Sequence, residues 1–191
     1  MGRRLVMVLL AGALALGTSC WDATEGGSGG GGSNKTGSQN NASNNGGGGG
    51  EICVDGTCVE MDKYESAQKH CVEEINRYRN KKDKPPLDRS AELEQCALEG
   101  AISDAKSGTP HGHFQKTGGC NGATDAENEI PGWPKSRYGG VKGVVEEGTK
   151  MMWMEGPGGG HYENIIGDHQ AVGCGIYVDG SDSVWIVQDF K

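Results

Sequence analysis

What this sequence lacks sets its first limits. It has no basic block: 18 Lys and Arg stand against 26 Asp and Glu, for a formal charge of −8. Neutralising phosphates takes clustered Lys and Arg, so nucleic acid is excluded as a partner. It has no apolar run able to cross a bilayer, which takes roughly 20 residues; Leu5 to Leu16 supplies only about a dozen. None of the spacings among its seven cysteines is a zinc ribbon or a redox Cys-x-x-Cys. No Ser-His-Asp or Cys-His arrangement offers a nucleophile.

What is present begins with an export signal over residues 1–19. Arg3 and Arg4 give the positive start, and Leu5 to Leu16 the apolar run. Gly17-Thr18-Ser19-Cys20 follows and resembles the lipobox of bacterial lipoproteins, although Leu16 sits one place further from the cysteine than the pattern favours. That resemblance implies a lipidated Cys20 as the mature N-terminus; the other reading is an ordinary cleaved signal and a stray thiol. Removing the signal takes away two positive charges and leaves a more acidic chain. Trp21 to Gly50 is Gly, Ser and Asn with almost nothing to bury, so residues 20–50 read as a lipidated cysteine and a disordered tether. Its root-mean-square span is roughly 30 Å.

Cys53, Cys58, Cys71, Cys96, Cys120 and Cys174 remain, an even number that reads as a disulfide framework in an exported domain. Residues 51–61 form a small hairpin around Asp55-Gly56, a two-residue turn signal, with Cys53 and Cys58 placed to pair across it. The folded domain spans 62–191, about 130 residues and enough for one core. Tyr64, Ala67, Cys71, Ile75 and Tyr78 recur at helical spacing, ahead of Pro85-Pro86. Ser90 is a helix cap for a second stripe of Leu93, Cys96, Ala97 and Ala101, which Gly108 stops. Cys71 and Cys96 lie on the apolar faces of these helices, so they are expected to pair. Thr109 to Arg137 has no clear period and reads as a loop carrying His111, His113, Cys120, Glu127, Asn128 and Glu129. Val144, Gly148, Met151 and Met152 mark a third helix ending at Trp153 and read as core. Two β-rich runs, Ala171 to Tyr177 and Val184 to Phe190, close an α+β domain.

These segments form a recognisable set. Glu74-Ile75-Asn76-Arg77-Tyr78-Arg79, Pro86-Leu87, and Leu93 with Ala97 resemble the first two helices of the CAP superfamily, the cysteine-rich secretory, antigen 5 and pathogenesis-related proteins. Ala126-Glu127-Asn128 resembles its Gly-Glu-Asn motif, and Gly160-His161-Tyr162 its Gly-His-Tyr signature. Gly173-Cys174-Gly175 and Gln188-Asp189-Phe190 resemble its closing hairpin. The resemblance implies a three-layer α-β-α sandwich with a cleft of two histidines and two acids, where some members bind zinc or another divalent cation. His161 is then the second histidine and Glu127 the first acid. The first histidine is His111 or His113. The second acid is Glu155, in a Trp153-Met154-Glu155 one residue shorter than the family's spacing, or Glu163. Two imidazoles and a carboxylate suit Zn²⁺ and leave a position for water. Cys120 and Cys174 remain as the third pair. His70 and His169 read as solvated.

Two functions follow from the resemblance. One is a membrane-anchored module, periplasmic or at the cell surface, that binds a lipid, glycan or protein ligand with or without the cation. The other is a metal-assisted or His/Glu hydrolase of peptides or envelope components, with His161 and Glu127 at its centre. The anchor has a direct test. The wild-type chain is expected to sediment with the membranes of the producing bacterium and Cys20→Ser to release it; a soluble wild type removes the anchor.

Overall fold

The computed structural model describes residues 50–180 and 182–191. The export signal, Cys20 and the tether up to residue 49 lie outside the described residues. Helix α1 (Glu65–Asn80) buries Ala67, Cys71, Ile75 and Tyr78, the stripe that the spacing marks. After a two-residue strand, β3 (Asp88–Arg89), the Ser90 hydroxyl accepts the Leu93 N–H at 3.3 Å and opens α2 (Ala91–Ser107). Gly108 ends it in the left-handed region at φ 66°, where glycine carries no Cβ penalty.

Residues 109–137, read above as a loop, hold two further elements. Helix α3 (Gly112–Gly122) has too little apolar periodicity to be seen, and its end winds left-handed from Gly118 to Asn121. Strand β4 (Ala126–Pro134) escapes notice because Glu127 and Glu129 occupy inward positions where alternation leads one to expect apolar residues, and because its register shifts between Ile130 and Trp133. A 3₁₀ turn (Lys135–Tyr138) leads into α4 (Val141–Met154), and the glycine run into a short α5 (Gly160–Ile166). Strands β5 (Ala171–Asp179) and β6 (Ser183–Phe190) follow.

The main sheet has the order β3-β5-β6-β4, with β3 parallel to β5 and the other pairs antiparallel. Side chains alternate across it. Val172, Cys174, Ile176, Val184, Ile186 and Phe190 pack with α1, α4 and α5, while Trp185 and Val187 pack under Ala97 and Ala101 of α2. The sheet is therefore the middle layer of an α-β-α sandwich. An added hairpin, β1 (Glu51–Val54) with β2 (Thr57–Glu60), lays Ile52 and Val59 against Leu98 and Ile102 of α2.

This layering decides the disulfides. Cys53 pairs with Cys58 across the hairpin. The other two expected pairs are corrected: Cys71 joins Cys174, and Cys96 joins Cys120. Cys71 cannot meet Cys96 because α1 and α2 lie on opposite faces of the sheet. Cys174 points to the α1 face, so it is out of reach of Cys120, which packs with α2. Both flanking residues of Cys174 point the other way, and they are glycines for a steric reason. A Cβ on Gly173 would lie 2.3 Å from the Leu93 carbonyl carbon, and one on Gly175 would lie 2.0 Å from that of Ala97. Backbone therefore rests on backbone.

Buried polar groups end β6. Gln188 Nε2 donates to Thr149 Oγ1 at 3.0 Å. Asp189, opposite Glu127 in the ladder, accepts the Thr124 hydroxyl at 3.4 Å, and its other oxygen has no partner among the described residues. Burial, with the Glu127 charge, pushes the Asp189 carboxyl up to about 8. Its folded value thus lies above the unfolded one, near 4. Between these values the folded chain keeps a proton that the unfolded chain has released, so this group's contribution to stability falls as pH rises through the window.

Two outcomes are expected in urea unfolding. Gly175→Ala should lower stability by about 3 kcal/mol or more, as overpacking against α2 demands; an unchanged midpoint would contradict the close approach. Asp189→Asn should flatten the loss of stability between about pH 4 and pH 8, and an identical pH profile would contradict the raised carboxyl.

Candidate functional site

The pleat of β4 sorts its polar residues. Glu127 and Glu129 point towards α2 and the start of α3, and Asn128 points to the opposite face. His111, just before α3, takes φ 59°, an uncommon conformation for a residue with a side chain. Two carboxylates hold it there: its N–H donates to Glu129 Oε2 at 2.5 Å, and its Nδ1 lies 2.7 Å from Glu127 Oε1. The hydrogen bond to Glu127 raises the His111 pKa, against the opposing effect of burial. Glu129 is buried, its Oε1 has no partner among the described residues, and burial with the charges of Asp104 and Glu127 pushes it up to about 7. Asp104 of α2 is fully buried and likewise raised by burial; its Oδ1 accepts the His113 N–H at 2.7 Å.

His161 lies in the first turn of α5. Its Nδ1 is 2.6 Å from Glu155 Oε1, and its N–H donates to Glu155 Oε2 at 3.1 Å. Burial works against ionisation of Glu155, but the hydrogen bond and charge of His161 outweigh it and hold the carboxyl low. A seven-residue helix needs outside support. Asn128 Nδ2 donates to the His161 carbonyl at 3.3 Å, and Asn164 Nδ2 donates to Asn128 Oδ1 at 2.9 Å and to the Glu127 carbonyl at 3.1 Å. At the far end the buried Arg79 guanidinium donates to the carbonyls of Ile165 at 2.8 Å and Gly167 at 2.9 Å.

The outcome is two histidine–carboxylate pairs, His111–Glu127 and His161–Glu155, with ring centroids 6.2 Å apart and planes 27° from parallel. Each imidazole spends Nδ1 on its carboxylate. Each Nε2 is without a partner among the described residues. Metal-bound histidines have this form, with one ring nitrogen on the ion and the other on a carboxylate. Two imidazoles on a tetrahedral Zn²⁺ at about 2.0–2.1 Å would have centroids roughly 5 Å apart, so the rings need to close by about 1 Å. The donor types fit a divalent cation. Beside His111 and Glu127 the cleft opens into a space of about 360 Å³ also lined by Phe114, Gln115, Asp125 and Asn164.

The remaining residues singled out in the sequence lie elsewhere. His113 is not paired with Glu127; one of its ring nitrogens groups with Glu99 and Cys120. Glu163 accepts the Gly158 N–H at 2.8 Å and braces the glycine turn. His70 pairs with Glu146 at 2.8 Å on the surface. His169, read as solvated, is instead partly covered, with its ring 5.3 Å from Phe190 and its pKa lowered by burial. The sequence marks Glu129 only as one of the polar residues around Glu127, without a role, and gives no sign of Asp104; both are neighbours of the site. Recognising β4 as a strand would have found Glu129, which shares a face with Glu127 two residues away.

A model of the cysteine-rich secretory protein family, CAP, matches residues 72–190. Among solved structures the chain is similar to Na-ASP-1, at TM-score 0.47 and 15% identity over 73% of this chain and 45% of that one. It is also similar to a cysteine-rich secretory protein from Staphylococcus aureus subsp. aureus Mu50, at TM-score 0.45 and 13% identity over 72% and 44%. An outer surface protein from Borrelia burgdorferi matches at TM-score 0.44 and 20% identity over 75% and 98%. The chain spans less than half the length of the first two. A search of curated protein sequences finds no match. The family model covers well over half of the sequence and takes in both histidine–carboxylate pairs, and the chain belongs to the cysteine-rich secretory protein (CAP) family.

Proposed function

We propose that this chain is an exported binding module, held to a membrane by lipid on Cys20 and set off from it by the tether. Its cleft binds a divalent cation, Zn²⁺ first, with His111 and His161 as nitrogen ligands, and receives a lipid, glycan or protein ligand beside it. The observation that carries this reading is the pairing of each imidazole Nδ1 with its own carboxylate, Glu127 or Glu155, which leaves both Nε2 atoms for an ion. Bound there, the cation would supply positive charge to a cleft rich in carboxylates.

A hydrolase built on the same residues is the second reading. Neither imidazole hydrogen-bonds to a hydroxyl or thiol among the described residues, so on that reading the nucleophile would be a water activated by the cation or by a histidine–carboxylate pair. All six described cysteines are joined in disulfides.

Isothermal titration of the full chain with Zn²⁺ tests the cation site. Wild type is expected to bind, with affinity at least about 10-fold weaker in His111→Ala and in His161→Ala. Absence of heat in the wild type would sink the metal reading. Peptide hydrolysis by the wild type that His161→Ala abolishes would instead favour the hydrolase.

A further inference from the structure

Two imidazoles and their partner carboxylates do not exhaust the chemistry around His111. One atom each from His111, Glu127 and Glu129 lies within 4.8 Å of the other two. Glu129 Oε2 is 3.9 Å from His111 Nδ1, and the Glu129 side chain is fully shielded from solvent. Only one of its oxygens is used, by the His111 N–H; Oε1 is buried without a partner among the described residues. An ionised oxygen left so is costly, and a native one calls for a cause such as an ion. No other described residue relieves it. Glu127 and Asp104, which bear on Glu129, are acids, and the charge opposing them is that of His111.

We propose that Glu129 is a ligand of the cleft cation, so that the ion sits on the His111 side with Glu129 as an oxygen donor, Glu127 kept on the His111 Nδ1, and His161 as the approaching second imidazole. This rests on the cation reading above and goes beyond it in placing the ion and its donor set. The site then offers mixed nitrogen and carboxylate oxygen, a set that suits Mn²⁺ as well as Zn²⁺, whereas histidines alone would favour Zn²⁺. Glu129 also accounts for the left-handed turn at His111: the same carboxylate that fixes the backbone through Oε2 presents Oε1 to the ion.

The competing account is that Glu129 is a neutral acid, tuned by burial and with no ion to hold. Glutamine imitates that acid closely, so Glu129→Gln separates the two. Titration of the full chain with Zn²⁺ and with Mn²⁺, the latter also followed by loss of the free Mn²⁺ paramagnetic resonance signal, is compared for wild type, Glu129→Gln and His161→Ala. Circular dichroism and thermal melting check the fold of each. The expected result is at least a 10-fold loss of affinity in Glu129→Gln, larger for Mn²⁺ than for Zn²⁺, with the metal-induced rise in melting temperature lost. Wild-type affinity in Glu129→Gln overturns the inference; if His161→Ala is weakened in the same experiment, the two-histidine cleft stands without Glu129. The reverse pattern keeps Glu129 as ligand and removes His161. No binding by wild type overturns both. Should Glu129→Gln fail to fold, Glu129→Asp, which keeps the charge but draws the oxygens back, decides: unchanged affinity overturns the proposal and weakened affinity supports it.

Discussion

The structure depends on how closely α2 lies on β5. Gly173 and Gly175 leave no side chain between helix and strand, and the carbonyl carbons of Leu93 and Ala97 occupy the space that Cβ atoms would take. With α2 seated there, the sheet can only be the middle layer, because the opposite side chains of β5 and β6 are apolar and need α1 and α4 over them. The approach also aligns α2 with the edge strand, so that Gly100 comes within 3.8 Å of Glu127 Oε2, measured from where its Cβ would stand, and Asp104 faces the same region. The acids of the cleft are thus brought together by a contact between backbones.

That arrangement is poor for stability and useful for a site. An interior of this size ordinarily keeps ionisable groups out or pairs them. Here Asp104, Glu129 and Asp189 are all buried with an oxygen that has no partner among the described residues, and all are raised towards the neutral form. The face built on Cys71, Ile75, Val144, Ile165 and Ile186 also buries polar groups, but Arg79 and Gln188 there are hydrogen-bonded, and Gln68 Oε1 of α1 lacks a partner among the described residues. The two histidine–carboxylate pairs come from elements on opposite faces of the sheet, and Asn128 and Asn164 carry the connection between β4 and α5.

How much of this was legible follows from where side chains and secondary structure agree. The first two helices could be read to within a few residues, since apolar spacing, the Ser90 cap and the Gly108 stop all point the same way. Strand β4 could not, because its inward glutamates break the pattern by which strands are recognised. The cysteines were countable, but their pairing depends on which face of a sheet each occupies, which spacing along the chain does not reveal. His111 and His113 stood equal in the sequence. Only the left-handed turn separates them, bringing His111 to Glu127 and leaving His113 beside Glu99 and Cys120, and a histidine does not announce that conformation. Glu155 lay one residue off the expected spacing; it follows directly on the last residue of α4, where the chain can still turn its carboxylate to His161.

The bond between Cys71 and Cys174 spans 103 positions and encloses both histidine–carboxylate pairs. Any single backbone cut between these cysteines would leave the two pieces covalently joined, with the sheet and α1 still tethered across the break. A protease that clips the exposed glycine turn before α5 would therefore nick the domain without releasing a fragment. Loss of mass on a gel would appear only after reduction.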